Sequence, residues 1–260
     1  MSSPLDFTGR VALITGGSRG IGRGIAEAFL AAGADVAVCG RKEPAELANA
    51  GGKSAIFVSA DVRDPEQVEK MVDEVVERLG RLDVLVNNAG GAPFAEAATV
   101  SPRFSEKVIQ LNLTAALHCA QQANRVMQGQ DSGGSIINVA SVSGLRPSPG
   151  TAAYGAAKAG LINLSGTLAI EWGPKVRVNA ISASMILTEQ AHLHYGDDEG
   201  IARIAETVPL KRLGTPEDIA GACLYFASPL ASYVSGANLL LHGGGETPAF
   251  LAAATVNRGE

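Results

Sequence analysis

Cysteine is scarce in this chain, with 3 in 260 residues: Cys39, Cys119 and Cys223 lie far apart and form no CxxC pair. That excludes a disulfide framework and a thiolate zinc site, and it suits a reducing, cytoplasmic compartment. Positive charge is in deficit, with 21 Lys and Arg against 26 Asp and Glu and a formal charge of −5. Nothing in that balance favours nucleic acid or an anionic membrane as a partner. No apolar run approaches the roughly 20 residues that cross a bilayer. The opening MSSPLDFTGR lacks the basic and apolar regions of a signal peptide. The expectation is a soluble cytoplasmic protein with no nucleic-acid or membrane partner.

Aromatic residues are few, at 5%, whereas glycine is abundant, at 31 residues, and the apolar fraction reaches 46%. A chain this apolar supports a buried core, and glycines without collagen spacing suit many tight strand-to-helix turns. Short apolar runs at Arg10–Thr15, Asp35–Cys39, Ser54–Val58, Leu82–Asn87, Ser135–Ala140, Val176–Ile181 and Ala237–Leu241 read as strands. Most are continuous, as strands covered on both faces require. Helical stretches fall between them, near Gly20–Ala32, Pro65–Leu79, Pro102–Met127, Ala152–Trp172 and Pro216–Ala227. Asp64-Pro65-Glu66, Ser101-Pro102 and Thr215-Pro216-Glu217 each place proline in a first helical turn. The alternation predicts an α/β fold with a doubly wound parallel sheet. No linker, charge block or repeat divides it, so residues 1–260 read as one domain. The irregular segment 188–213 reads either as a lid over a site or as a surface helix pair.

After the first strand comes TGGSRGIG, Thr15 to Gly22, opening a helix. Gly16, Gly20 and Gly22 let the backbone turn and approach a ligand closely, and the helix N-terminus offers free N–H groups to a pyrophosphate. The end of the second strand reads VAVCGRK. An acidic residue there would hold a ribose 2′-hydroxyl and repel a 2′-phosphate. Gly40 stands in that place instead, followed by Arg41 and Lys42, with Arg19 in the glycine loop. Guanidinium forks suit a phosphate, so NADP(H) is preferred and NAD(H) remains possible.

Tyr154 and Lys158, in TAAYGAAKAG, are four residues apart and share one helix face. Tyrosine titrates near pH ~10 in water, and a neighbouring ammonium moves it down toward neutrality. Ser141 ends the strand SIINVAS, where doubly wound sheets hold their ligands, and Ser143 is a rival two residues on. NNAG, Asn87–Gly90, ends another strand beside the expected cofactor cleft. Asn112 falls mid-helix, where asparagine costs stability, and either a structural amide or a bound water would explain it. The four histidines show no metal-ligand spacing, and no metal is expected. Cys119, Cys223 and Trp172 read as packing residues.

Together these residues resemble the short-chain dehydrogenase/reductase family, and within it the 3-oxoacyl reductase-like members. The likeness runs from about Gly9 to Gly244, with TGGSRGIG, Asp61-Val62, NNAG, Asn112, Ser141, YGAAK and VRVNAI in family order. The resemblance implies a Rossmann-type sheet of about seven strands and a homotetramer or homodimer. It implies that Tyr154 protonates a carbonyl oxygen, that Ser141 bonds that oxygen, and that Lys158 holds ribose hydroxyls and lowers the tyrosine pKa. Asn112 would hold a water linking Lys158 to solvent. The cofactor would rest on Gly16, Ser18, Arg19, Gly20, Ile21, Gly22, Arg41, Asp61, Val62, Asn88, Ala89 and Gly90, with Ile186 and Thr188 at its carboxamide.

Two departures stand out. Ala183 and Ser184 occupy the places where the family usually has Pro-Gly, and LHGGG with His242 replaces the common VDGG. A non-catalytic dinucleotide sensor or assembly protein would lack Tyr154 or Lys158. A methyltransferase fits neither that pair nor Arg41. An NAD-linked alcohol dehydrogenase differs only at the basic pair. The substrate expected is a small neutral or acyl-type carbonyl or its alcohol.

Overall fold

Continuous apolar strands need cover on both faces, and the structure supplies it. The structure is a computed structural model and describes residues 3–253. The strands β1 (Val11–Thr15), β2 (Asp35–Gly40), β3 (Ile56–Ser59), β4 (Val84–Asn87), β5 (Gly134–Ser141), β6 (Val176–Ala183) and β7 (Asn238–Leu241) form one parallel sheet in the order β3-β2-β1-β4-β5-β6-β7. The helices are α1 (Gly20–Ala31), α2 (Pro65–Leu79), α3 (Pro102–Ile109), α4 (Ala115–Gly129), α5 (Ala152–Trp172), α6 (His192–Tyr195), α7 (Asp198–Thr207), α8 (Pro216–Ala227) and α9 (Ala249–Ala253).

Successive residues of β1 point to opposite faces. Ile14 joins Ile25, Phe29, Ile219 and Phe226 under α1 and α8. Leu13 joins Val68, Val72, Cys119 and Met127 under α2 and α4. Each large side chain buried in this way contributes roughly 1.5–3 kcal/mol. All three cysteines are buried, and burial pushes the Cys39 thiol up to about 12. Trp172 packs on the second of these cores. The strand order reverses between β1 and β4, which opens a cleft at their C-terminal ends.

Three local departures from the sequence reading have physical causes. The helix expected over Pro102–Met127 is interrupted by a π-helical turn at Gln110–Thr114. There the Asn112 side chain bonds the carbonyl of Val108, four residues back, and such an insertion widens the turn. Strand β3 begins at Ile56, because Lys53–Ser54 instead pairs antiparallel with Asn49–Ala50 across Gly51-Gly52. Both of these glycines have positive φ, as a two-residue hairpin turn requires. Strand β6 runs on past Ile181 to Ala183, and the Ser184 N–H still donates to Leu241 O at 3.0 Å. A proline at the Ala183 place would lack the backbone N–H that Ala183 carries at the end of this strand.

Candidate active site

Tight turns and side-chain staples hold the cleft together. Thr15 ends β1, and its hydroxyl accepts from the backbone N–H of Asn88 at 2.9 Å and of Ala89 at 3.0 Å. Asn88 returns the contact, donating from Nδ2 to the carbonyls of Thr15 at 2.9 Å and Gly16 at 3.3 Å. These bonds join the glycine loop to the NNAG loop. A β-carbon on Gly22 would lie 2.4 Å from Gly16 O, so helix α1 can start this close to the loop only with glycine there. Ile21 and Gly22 follow Gly20 in the first turn of α1, and Arg19, exposed at the N-cap, supplies no side-chain cap. The turn fits a pyrophosphate, which needs close backbone approach and N–H donors.

At the end of β2 a β-carbon on Gly40 would meet Ser18 Oγ at 3.2 Å, and Arg41 and Lys42 are exposed just beyond. Asp61 lies nearby, paired with Arg63 at 2.5 Å. That bond, more than the Arg41 charge, holds the Asp61 carboxyl below its ordinary value. Val62 beside it is buried.

Asn112 is buried in the π turn and fully bonded. Its Oδ1 accepts from Gly91 N–H at 2.8 Å, and its Nδ2 donates to Gly91 O at 3.0 Å and Val108 O at 2.9 Å. Gly90 sits between Asn112 and Lys158: a β-carbon there would lie 2.6 Å from Asn112 Oδ1 and 3.3 Å from Lys158 Nζ.

The serine turn and α5 form the opposite wall. Ser141 Oγ accepts from Ser143 N–H at 3.2 Å and caps the short turn Val142–Gly144. Ser143 Oγ faces Ser148 Oγ at 3.1 Å, whereas Ser141 is the serine whose side chain pulls the Tyr154 phenol down against burial. A β-carbon on Gly144 would lie 2.6 Å from Ala159 N, so glycine lets the turn press against the α5 backbone next to Lys158.

Lys158 is buried, donates to Val139 O at 2.7 Å, and has its ammonium 5.6 Å from the Tyr154 ring centre. Burial pushes it down to about 8. Burial also pushes the Tyr154 phenol above its ordinary value, with the Ser141 bond pulling the other way. Desolvation is what raises the phenol here, and the opposing pull comes from Ser141.

The segment 188–213 carries α6 and α7 and is closed at its base. Ile186 bridges Gly214, Leu187 N–H donates to Gly214 O at 2.8 Å, and Gly214 N–H donates to Met185 O at 3.0 Å. Ile186 is buried, and Thr188 reaches the glycine loop, with Cγ2 3.6 Å from a β-carbon placed on Gly20.

Tyr195 on α6, in the segment expected to face substrate, comes near Tyr154: after burial, the neighbouring phenol adds to the upward push on its pKa. Sequence reasoning missed several other residues here. Thr15 was legible only as the first letter of its motif. Asn138 and Ser165 complete a buried chain in which Asn87 Nδ2 donates to Asn138 Oδ1, Asn138 Nδ2 to Ser165 Oγ, and Ser165 Oγ to Leu161 O. It ties α5 to the sheet and so positions Tyr154 and Lys158. Among the described residues, no group of three or more His, Cys, Asp or Glu is placed to hold a metal ion. No helix among them is long and apolar enough to cross a membrane.

Comparison with known proteins bears on this arrangement. The profile of a family described as enoyl-(acyl carrier protein) reductase matches residues 16–246. The chain is 39% identical to L-rhamnose 1-dehydrogenase (NAD(P)(+)) of Azotobacter vinelandii, over 90% of this chain and 96% of that one. It is 36% identical to 3-oxoacyl-[acyl-carrier-protein] reductase of Synechocystis, over 92% and 97%. Its fold matches a Beutenbergia cavernae protein assigned as an NAD(P)-dependent gluconate 5-dehydrogenase and holding NADP at low occupancy. The TM-score is 0.85 and the identity 36%, covering 93% of this chain and 98% of that one. With its motifs in order on a seven-stranded parallel sheet and a family match over most of its length, this chain belongs to the short-chain dehydrogenase/reductase family of oxidoreductases.

Proposed function

We propose that this protein interconverts a small neutral carbonyl compound and its alcohol, with NADP(H) as the hydride carrier and Tyr154 as general acid and base. One observation carries the reading: Ser141, Tyr154 and Lys158 meet at the C-terminal end of β5, across the cleft from the glycine loop. A nicotinamide held in that cleft would supply or accept the hydride. Tyr154 gives its phenolic proton to the carbonyl oxygen in reduction and takes it back in oxidation. Ser141 donates a hydrogen bond to the same oxygen and orients it. Lys158 is confined by Val139 O, and its positive charge favours the phenolate once Tyr154 has given up its proton. Asn112 fixes Gly91 and so keeps the NNAG loop against the site. Segment 188–213 acts as the lid.

Three observations support NADP(H) over NAD(H): Gly40 stands where an acid would repel a 2′-phosphate, Arg41 and Lys42 are exposed beside it, and Ser18 faces the same spot. The substrate class follows from the surfaces around Tyr154. Ala92, Pro93, Phe104 and Val108 line a small hollow next to it, and Phe94, beside Gly150 of the same hollow, is exposed. Such walls suit an uncharged reacting end better than a sugar phosphate.

The test is a titration with NADPH and with NADH, followed by nicotinamide fluorescence, on wild type and Arg41→Ala. Tighter NADPH binding, weakened at least ~10-fold by the substitution, is expected from the loss of a charge-assisted phosphate contact. Equal or tighter NADH binding would remove the cofactor preference, and binding of neither would overturn the enzymatic reading.

A further inference from the structure

The first turn of α1 already holds an anion of the protein's own. Glu189, exposed at the start of the lid, accepts a hydrogen bond from the Gly20 N–H through Oε1 at 2.9 Å, across 169 residues of chain. Its other oxygen, Oε2, lies 3.9 Å from where a Gly20 β-carbon would be. The contact belongs to a defined piece of structure. Ala191 N–H donates to Thr188 O at 2.9 Å and Gln190 N–H to Thr188 Oγ1 at 3.3 Å, forming a turn around Glu189 that is anchored below by the Ile186–Gly214 bridge. Arg23, one turn into α1, pairs with Glu27 at 2.9 Å. After Glu27 and Glu46, it is the Glu189 carboxylate that further favours its charged form. Arg19 contributes no cap, so the lid carboxylate takes over the capping role at this helix end.

A pyrophosphate seated on the glycine loop uses the same N–H donors. One N–H cannot serve two anions, and two anions at one helix terminus repel each other. We propose that Glu189 is a built-in competitor of the dinucleotide pyrophosphate: cofactor entry displaces its carboxylate from Gly20 and thereby releases the lid from α1. This rests on the dinucleotide reading given above and adds a coupling to it. Cofactor occupancy and lid position become one equilibrium, with Glu189 as the link. The displaced carboxylate is free to follow its turn outward, because the lid base at Ile186 and Gly214 is held independently of Gly20.

The coupling is measurable without turnover. Dissociation constants for NADPH, NADH and adenosine 2′-monophosphate are determined on wild type, Glu189→Gln and Glu189→Ala. The first two ligands are followed by nicotinamide fluorescence, the third by its displacement of NADPH. Removing the competing carboxylate is expected to tighten both dinucleotides about three- to five-fold, the size of one charge at a helix terminus. Adenosine 2′-monophosphate has no pyrophosphate, and its affinity is expected to stay the same. Amide exchange gives a second readout: lid residues 189–195 of wild type should exchange faster once dinucleotide is bound, and those of Glu189→Ala should be fast from the start. Unchanged or weaker dinucleotide binding in both variants overturns the proposal. So does equal tightening of all three ligands, which would mean a diffuse charge effect. If wild type and variants alike bind no dinucleotide, the cofactor reading fails as well, and that outcome is distinct from the others.

Discussion

The two walls of the cleft are built on opposite principles. The wall made by β5, the serine turn and α5 is dense: Ser141 and Lys158 are buried, and a chain of amides and hydroxyls from Asn87 to Leu161 ties the helix to the sheet. The lid wall is sparse. Helices α6 and α7 bury no residue fully, Leu193 is 77% exposed, and the contact with α1 rests on the Glu189 carboxylate and Thr188. On the proposed reading, the chemistry that needs sub-ångström placement falls on the first wall, and the segment that moves for ligands to enter falls on the second.

The largest test of that contrast is Tyr154→Phe. It removes the proposed proton donor while keeping the ring, so carbonyl reduction should fall about 10²- to 10⁴-fold with dinucleotide affinity nearly unchanged. Assays of initial rate and of binding on the same preparation separate the two. A variant that keeps more than a tenth of the activity would move the proton donor elsewhere, with Tyr195 the next candidate because its phenol lies near that of Tyr154.

The buried lysine gives a stability effect with a definite sign. Its folded pKa of about 8 lies below the ordinary 10.5. Between those values the unfolded chain holds a proton that the folded one has shed. The penalty for a buried charge is therefore absent above about 10.5, grows as pH falls through that window, and is complete below about 8. Its full size is about 3 kcal/mol. In urea titrations from pH 7 to 10, wild type should gain stability relative to Lys158→Met as pH rises. A constant difference across that range would show that Lys158 is solvated in the folded protein.

The smallest effects sharpen the comparison. Gly144→Ala forces a β-carbon against the α5 backbone and should cost about 1–3 kcal/mol. Leu193→Ala, on the exposed lid, should stay within about 0.5 kcal/mol. Thermal or urea midpoints measured side by side check this, and equal costs would mean that segment 188–213 is as tightly packed as the wall made by β5 and α5.

Much of the architecture was readable because its signals are local. Apolar runs, prolines in first turns and glycine-rich strand ends each lie within a few residues, and all seven strands appear within two residues of their expected bounds. The shift at Ile56 comes from the hairpin turn at Gly51-Gly52, which pairs Lys53–Ser54 with Asn49–Ala50. The motif residues were readable for the same reason. What they touch was not. Asn88 spends its amide on the glycine loop, and Asn112 spends its own on Gly91 and Val108.

By itself the sequence determined the family, the parallel sheet and the identity of the serine, tyrosine and lysine, since periodicity and motif spacing operate over short windows. Only the tertiary structure decided that burial governs the Tyr154 and Lys158 proton equilibria, that the π turn forms at Asn112, and that Glu189 caps α1. Desolvation depends on everything packed around a group. The donor that a given carboxylate finds depends on segments brought together from as far as 169 residues apart, and no local pattern records either.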